Sequence, residues 1–436
     1  MTSQKQQGNF VAILMMIFLF AMISFVTNLA APMGVIVKAQ FLENSSNANF
    51  LGMLGNFANF LAYAFMGIPA GLLLQKSGYK KTALIAIAVG FSGVFVQFLS
   101  GVYSSFIVYL LGAFVSGFSV CMLNTVVNPM LNTLGGGGKK GNQLLQIGGS
   151  FNSLAGTVTP MLVGALIGQV TRETAIKDVN PVLFIAMGVF AVVFIVLSFV
   201  RIPELASTKN VSSAGGLKKD KYSAWSFRHF VLGTIAIFIY VGVEVGIPGT
   251  LMLFLSDSKL GILDPLTAVQ TAGFVAGTYW FLMLVGRFVG GFVGGSVSGK
   301  TMLSVASGIG IVFVLIAIFS PVTKLVSMPV FTGSAFSMTQ VPISALFLVL
   351  VGLCTSVMWG GIFNLAVEGL GKYVAAASGI FMMMVVGGGI LPLIQNFIAD
   401  KAGYLVSYWV PAVGLAYLLF YAFVGSKNVN KDIPIE

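Results

Sequence analysis

Asn124, Asn128 and Asn132 stand four residues apart, so on a helix they share one face, and Pro129 among them frees backbone carbonyls nearby. Each amide both donates and accepts, which serves a ligand or a neighbouring helix equally well. Three on one face favour ligand contact for Asn124 and Asn128, with Asn132, nearer the end of its apolar run, as a structural residue. Asn28, Asn152, Asn364 and the pair Gln395 and Asn396 place the same chemistry in other apolar stretches, with Gln395 and Asn396 expected to cap one end of a central cavity. Glu244 is the carboxylate set deepest in apolar sequence. An ionised carboxylate at mid-bilayer costs on the order of 2.5–3.5 kcal/mol, so Glu244 needs a partner: a counter-charge, a proton, a bound cation or a ligand hydroxyl. Glu368, near the end of a run with Lys372 four residues on, reads instead as an interfacial ion pair. Trp280 and Trp359 lie inside apolar runs, whereas Trp225 and Trp409 fall at or near boundaries, where aromatic belts form.

These residues must be positioned in lipid. The 436 residues are 57% hydrophobic and 8% charged, with a mean hydropathy of +0.98, against roughly 25% charged in ordinary soluble domains. Twelve apolar runs have span length: about 10–37, 51–74, 82–101, 104–134, 143–169, 181–200, 229–255, 267–295, 301–320, 341–367, 373–399 and 404–425. The first is long for a signal-peptide core and is expected as a retained span. With a cytoplasmic N-terminus, 17 of the 23 Lys and Arg fall in inner loops and span ends, Arg287 among them, and six fall outside (Lys38, Arg172, Lys177, Lys259, Lys324, Lys401). The positive-inside rule therefore puts both termini in the cytoplasm.

The expected organisation is an N-terminal six-helix bundle (1–200), a basic cytoplasmic linker (201–228) and a C-terminal six-helix bundle (229–436). Residues 321–340 should form a polar outer loop. The halves repeat: GIPAGLLLQKSGYKKT (67–82) corresponds to GRFVGGFVGGSVSGKT (286–301), and NPMLNTLG (128–135) to NLAVEGLG (364–371). Same-direction repeats of six spans imply an all-α membrane protein of two pseudo-symmetric bundles with a solute site between them.

Other classes are excluded on residue grounds. The net charge of +11 is spread over short loops without the basic, aromatic-interleaved runs of nucleic-acid binding. Cys121 and Cys354 both lie in apolar runs, and the single histidine, His229, starts a span, so neither metal clusters nor His-based triads are available. GGGGKKGN (135–142) lacks the spacing of a phosphate-binding loop. No nucleophile and base pair supports an enzyme, no nucleotide-hydrolysing domain supports a pump, and no sizeable soluble domain supports a sensor.

GLLLQKSGYKK (71–81) resembles the loop motif between the second and third spans of the major facilitator superfamily, with Gln75 where that motif has an acidic residue. LNTVVNPMLNTLG (123–135), SFNS (150–153), YVGVEVGIPG (240–249), YWFLMLVGRFVG (279–290) and GLGKYVAAASGIFMMMVVGGGI (369–390) are similar to the bacterial fucose permease and glucose/galactose transporter family. The resemblance implies the major facilitator fold, a sugar substrate, proton or sodium as the coupling ion, and a bacterial inner membrane. Asn28 and Asn124 stand where the proton-coupled fucose permease has carboxylates, and an amide carries no proton. The resemblance thus implies symport of a mono- or disaccharide and favours Asn28 and Asn152 as sugar-site candidates; the residues themselves add Asn124, Asn128, Glu244, Trp280, Trp359, Asn364 and Gln395, with Glu244, the remaining deep carboxylate, as the coupling residue of a monomer without organic cofactor. A sugar uniporter, or an exporter of another metabolite in the same superfamily, is the alternative; TVTPMLVG (157–164) lacks the Gly before Pro that exporters usually carry.

Overall fold

The computed structural model of the chain describes residues 2–435 apart from 43–44, 135–137, 168–175, 201, 203–221, 265, 294–296, 334, 371–372 and 431. Among the described residues twelve helices are long and apolar enough to cross a membrane: α1 (Phe10–Lys38), α2 (Leu54–Leu74), α3 (Lys76–Val102), α4 (Phe106–Leu131), α5 (Ile147–Ile167), α6 (Lys177–Phe199), α7 (Arg228–Leu255), α8 (Ala268–Phe292), α9 (Gly299–Phe319), α10 (Ile343–Val367), α11 (Gly379–Ala402) and α12 (Tyr404–Gly425). They fall on the twelve apolar runs, because a continuous apolar stretch in lipid has to satisfy its own backbone and a helix does so. Twelve crossings return the chain to the side on which it began. That side is called the terminal end below, and the other the far end.

In the first half, α4 packs on α2 and α3, α5 on α1, and α6 on α3; in the second, α7 packs on α11 and α12, and α10 on α8 and α9. Two seams join the halves, α5 against α8 and α2 against α11. The reversal between α2 and α3 is made at Gly78, whose φ of 77° is a conformation L side chains rarely adopt. The Gln75 side chain lies outside the described residues.

The cavity-facing helices are interrupted, and prolines account for much of it. Pro129 lies in α4, Pro248 in α7 and Pro392 in α11. α1 breaks at Leu29, three residues before Pro32, and α10 breaks between Thr355 and Met358. A proline has no N–H to give the carbonyl four residues earlier. Gly388, so placed before Pro392, instead accepts from Asn56 Nδ2 of α2 at 2.8 Å, which stitches the second seam.

The connection at 321–340, expected as a loop, is an antiparallel hairpin of β1 (Leu325–Phe331) and β2 (Phe336–Pro342). Pro329 argues against a strand in sequence, but in a two-stranded hairpin both strands are edges, so a missing N–H can face outward. The hairpin sits at the far end on α8: Phe331 N–H donates to Thr278 Oγ1 at 2.9 Å, and its ring stacks on Phe281 at 4.7 Å. The linker at 201–228 lies outside the described residues except for 202 and 222–228. So does Lys372, the expected partner of Glu368; the Glu368 carbonyl accepts from the buried His229 Nε2 at 2.8 Å.

Close helix approach in the first half depends on Gly117 of α4, where a Cβ would overlap the Asn59 carbonyl oxygen and crowd the Ala62 methyl at 2.6 Å. Gly188 on α6 meets nothing within 4 Å. Gly117→Ala should therefore destabilise the protein by about 1–3 kcal/mol through overpacking. Gly188→Ala should be neutral or stabilising by up to about 1 kcal/mol. Thermal unfolding in detergent separates the two, and equal effects would mean that the α2–α4 seam gives way freely.

Candidate functional site

A cavity of about 570 Å³ lies between the two halves. Asn28, Asn124, Asn128 and Asn152 line it from the first half, and Glu244, Trp280, Trp359 and Asn364 from the second. Gln395 does not line it. It is buried between α11 and α7, where a Cβ on Gly246 would meet its Oε1 at 2.7 Å. Asn396 beside it donates to Thr250 Oγ1 at 2.9 Å and to the Pro392 carbonyl at 2.8 Å. Both amides sit in helix packing and neither caps the cavity, because their turn of α11 faces α7. The Asn132 side chain lies outside the described residues.

Each asparagine of the first half is aimed by an N–H given to its own surroundings. Asn28 Nδ2 donates to the Ser24 carbonyl at 2.9 Å, Asn124 Nδ2 to the Tyr63 hydroxyl at 2.8 Å, Asn128 Nδ2 to the Asn124 carbonyl at 2.9 Å and Asn152 Nδ2 to the Phe20 carbonyl at 2.9 Å. The four-residue spacing read from the sequence thus becomes an Asn128–Asn124–Tyr63 chain. Asn28, Asn128 and Asn152 keep Oδ1 without a hydrogen bond among the described residues, so the wall offers acceptors to a solute.

Across the cavity, Glu244 has its partner within the protein. Arg287 Nη2 on α8 lies 3.3 Å from Glu244 Oε1, and the Tyr240 hydroxyl one turn earlier lies 2.9 Å from the same oxygen. Arg287 Nη1 also donates to the Gly149 carbonyl at 2.8 Å and to Ser153 Oγ at 2.7 Å on α5. Arg287, counted with the inner loops and span ends, thus lies within its span and lines the cavity. A charge inside an apolar bundle is sustained by pairing, and Arg287 sits inside the run because Glu244 is there to receive it. Without it the loop count is sixteen against six, and the bias keeps its sign. Trp359 stands edge-on to Tyr240 and Phe381 at 6.2 and 6.0 Å, which fixes its indole in the wall. Trp280 stands edge-on to Tyr279 at 5.5 Å.

Toward the far end the cavity narrows to a void of about 20 Å³ lined by Thr27, Asn28, Asn56, Pro248 and Trp280 among others. Beyond it, polar side chains of the two halves interlock. Lys38 Nζ at the end of α1 donates to Asn49 Oδ1 at 2.7 Å, to the Tyr404 hydroxyl at 2.9 Å and to Asp257 Oδ2 at 3.2 Å. Tyr404 in turn donates to Asp257 Oδ2 at 2.8 Å. Asp400 accepts from the backbone N–H groups of Asn49 and Phe50 at 3.0 and 2.7 Å, capping from the second half the short helix Ala48–Gly52 that leads into α2. Burial alone would raise the Asp257 carboxyl; the Lys38 charge, the Tyr404 hydroxyl and the Lys259 N–H outweigh it and hold the group below its ordinary value. Among the described residues no three His, Cys, Asp or Glu side chains gather as a metal would require.

Arg287, Tyr63 and the Lys38 network were not singled out from the sequence. Arg287 carried a usable signal, as a basic residue inside an apolar run of a chain whose deep carboxylate needed a partner. The network carried none, because its members come from five separate helix ends.

The family model described as "Major Facilitator Superfamily" matches residues 13–348. The glucose/galactose transporter of Brucella abortus is 29% identical, with 98% of this chain and 96% of its own length covered. The L-fucose-proton symporter of Escherichia coli is 21% identical over 91% of this chain and 89% of its own. In fold, the chain is similar to the crystal structure of FucP in the outward conformation, with a TM-score of 0.67 at 19% identity, over 97% of this chain and all of that one. Twelve spanning helices in two packed halves, a cavity between them and a family match over most of the length agree: the chain belongs to the Major Facilitator Superfamily.

Proposed function

We propose that the protein is a secondary transporter, not an enzyme, that imports a small sugar with a cation by rocking its two bundles about the central cavity. The observation that carries this reading is the composition of the cavity wall: asparagine amides from one bundle face Glu244, Trp280 and Trp359 from the other across about 570 Å³. Sugar hydroxyls donate and accept as amides do, and an indole covers the apolar face of a sugar ring. The names of the two relatives, a glucose/galactose transporter and an L-fucose-proton symporter matched over nearly the whole chain, support sugar as the solute class. The interlocked far end supports alternating access, which requires a central site that is shut from one side at a time.

The sixteen-to-six charge bias supports a cytoplasmic terminal end, in a bacterial inner membrane, for a chain that works as a monomer with sugar and lipid as its partners. Proton or sodium is the coupling ion. Asn28 and Asn124 are amides, so Glu244 is the carboxylate among the described lining residues that can take a proton or ligate a cation. Uniport is the second reading. It is favoured by Arg287, which neutralises Glu244 at 3.3 Å with no ion.

Three outcomes follow. In proteoliposomes challenged with labelled sugars under imposed proton or sodium gradients, Glu244→Gln should keep counterflow and lose accumulation. Wild-type accumulation by that variant would remove Glu244 from coupling, and lost counterflow would make it a sugar ligand. Asn124→Ala and Asn128→Ala should each weaken sugar binding by about 1–3 kcal/mol, since each leaves a buried hydrogen bond unmade; unchanged affinity in both would return them to helix packing. Finally, Asp257→Asn should loosen the far end. Its carboxylate faces Lys38, Tyr404 and the Lys259 N–H. Since its pKa is lowered there, its contribution is complete above the ordinary carboxylate value of about 3.9 and is lost only as the pH falls through the lowered value. At pH 7 a cysteine in place of Thr27 should therefore resist an impermeant maleimide added at the far end, and Asp257→Asn should raise its labelling rate by about tenfold. Equal rates would show that the network does not seal.

A further inference from the structure

Arg287 is placed to do more than neutralise Glu244. Its guanidinium divides its contacts between the bundles: Glu244 on α7 belongs to its own, while the Gly149 carbonyl and Ser153 Oγ on α5 belong to the other. The two contacts across the seam, at 2.8 and 2.7 Å, are shorter than the 3.3 Å contact within the bundle. Arg287 stands five residues from the terminal end of α8, and Gly149 and Ser153 stand eleven and fifteen residues into the helix Gly138–Ile167 that carries α5. The contacts therefore tie α5 to α8 within the cavity wall, which also takes in Asn364 and Met382 nearer the terminal end, on the side away from the Lys38 network.

The chemistry of the pair links this seam to occupancy of the site. A guanidinium keeps its charge at any working pH, so a proton or cation arriving on Glu244 does not silence Arg287 and only removes its counter-charge. The side chains of Arg287 and Glu244 are 13% and 11% exposed. Two neutral acceptors on α5 do not compensate a full charge so buried, and an Arg287 deprived of Glu244 turns toward water. Turning breaks both cross-seam hydrogen bonds.

We propose that Arg287 is a latch between the bundles across the α5–α8 seam, and that Glu244 is the positioning residue that keeps it engaged. A proton or cation that engages Glu244 releases the latch and lets α5 and α8 move apart. The proposal rests on the reading of the cavity as a solute site, yet its test needs no transported sugar.

Labels at Lys81→Cys and Lys300→Cys, on exposed terminal-end positions of the two bundles, report the separation by pulsed electron spin resonance, on a background with the buried Cys121 and Cys354 replaced by alanine. Ser153 is buried and outside the cavity wall, so Ser153→Ala removes a latch contact and leaves the sugar site intact. Without sugar, in nanodiscs, Ser153→Ala and Glu244→Gln should each raise the ratio of separated to close populations by about tenfold, as expected for losing a hydrogen bond to a charged group. Ser153→Thr, which keeps the hydroxyl, should restore the wild-type distribution, and unfolding temperatures monitor general damage. A wild-type distribution in either Ser153→Ala or Glu244→Gln overturns the latch. A wild type that carries no sugar overturns the functional reading instead, and the distance measurement still decides on the latch.

Discussion

In hydrocarbon, a charge is tolerated where the protein supplies its counter-charge, and this chain buries one such pair at the meeting of its two halves. Glu244 and Arg287 come from neighbouring helices of one bundle, and the guanidinium is completed by the backbone and hydroxyl of the other. The desolvation cost of either charge alone is several kcal/mol, so neither group is free to leave without the other finding a substitute. Sites that bind solute and move helices are built on such constraints, because a ligand able to replace one partner changes which helices are held together.

The same accounting of polar groups explains why the cavity lies where it does. Pro129, Pro248 and Pro392 each interrupt a helix ladder and leave a carbonyl without its usual donor. Such backbone is best tolerated in protein-lined space in a membrane, and the interrupted turns of α4, α7 and α10 lie beside the cavity. The Asn56 contact to Gly388 shows the remedy: an amide from one bundle satisfies a carbonyl exposed by a proline in the other. Each seam is thus held by polar contacts that exist only while the bundles are in register. At the far end the work passes to Lys38, Asp257, Tyr404 and Asp400, partly buried groups whose contacts are exchangeable for water. A seal of that kind is strong enough to hold one conformation and weak enough to be traded for another.

The twelve spans were legible because length and apolarity alone dictate a helix in lipid. The asparagine ladder on α4 was legible because spacing of four places residues on one face whatever the tertiary structure. Gln395 misled for the complementary reason: spacing gives the face of a helix and not what that face meets, and α7 lies across it. Arg287 was hidden by counting it with the charges of loops and span ends, although the cost of leaving Glu244 unpaired pointed to a basic residue inside a neighbouring span. The hairpin at 325–342 was masked by Pro329, and the far-end network by its assembly from helix ends up to 366 positions apart in sequence.

If the space between the bundles is the solute site, side chains of both bundles hold the solute. A cryo-electron microscopy structure of the protein in nanodiscs saturated with a sugar that it transports tests this most directly. Density for the sugar is expected between Asn128 and Asn124 on one side and Trp359 and Glu244 on the other, within hydrogen-bond distance of at least one amide. Sugar density elsewhere, with this cavity empty in a preparation shown to transport, would contradict it.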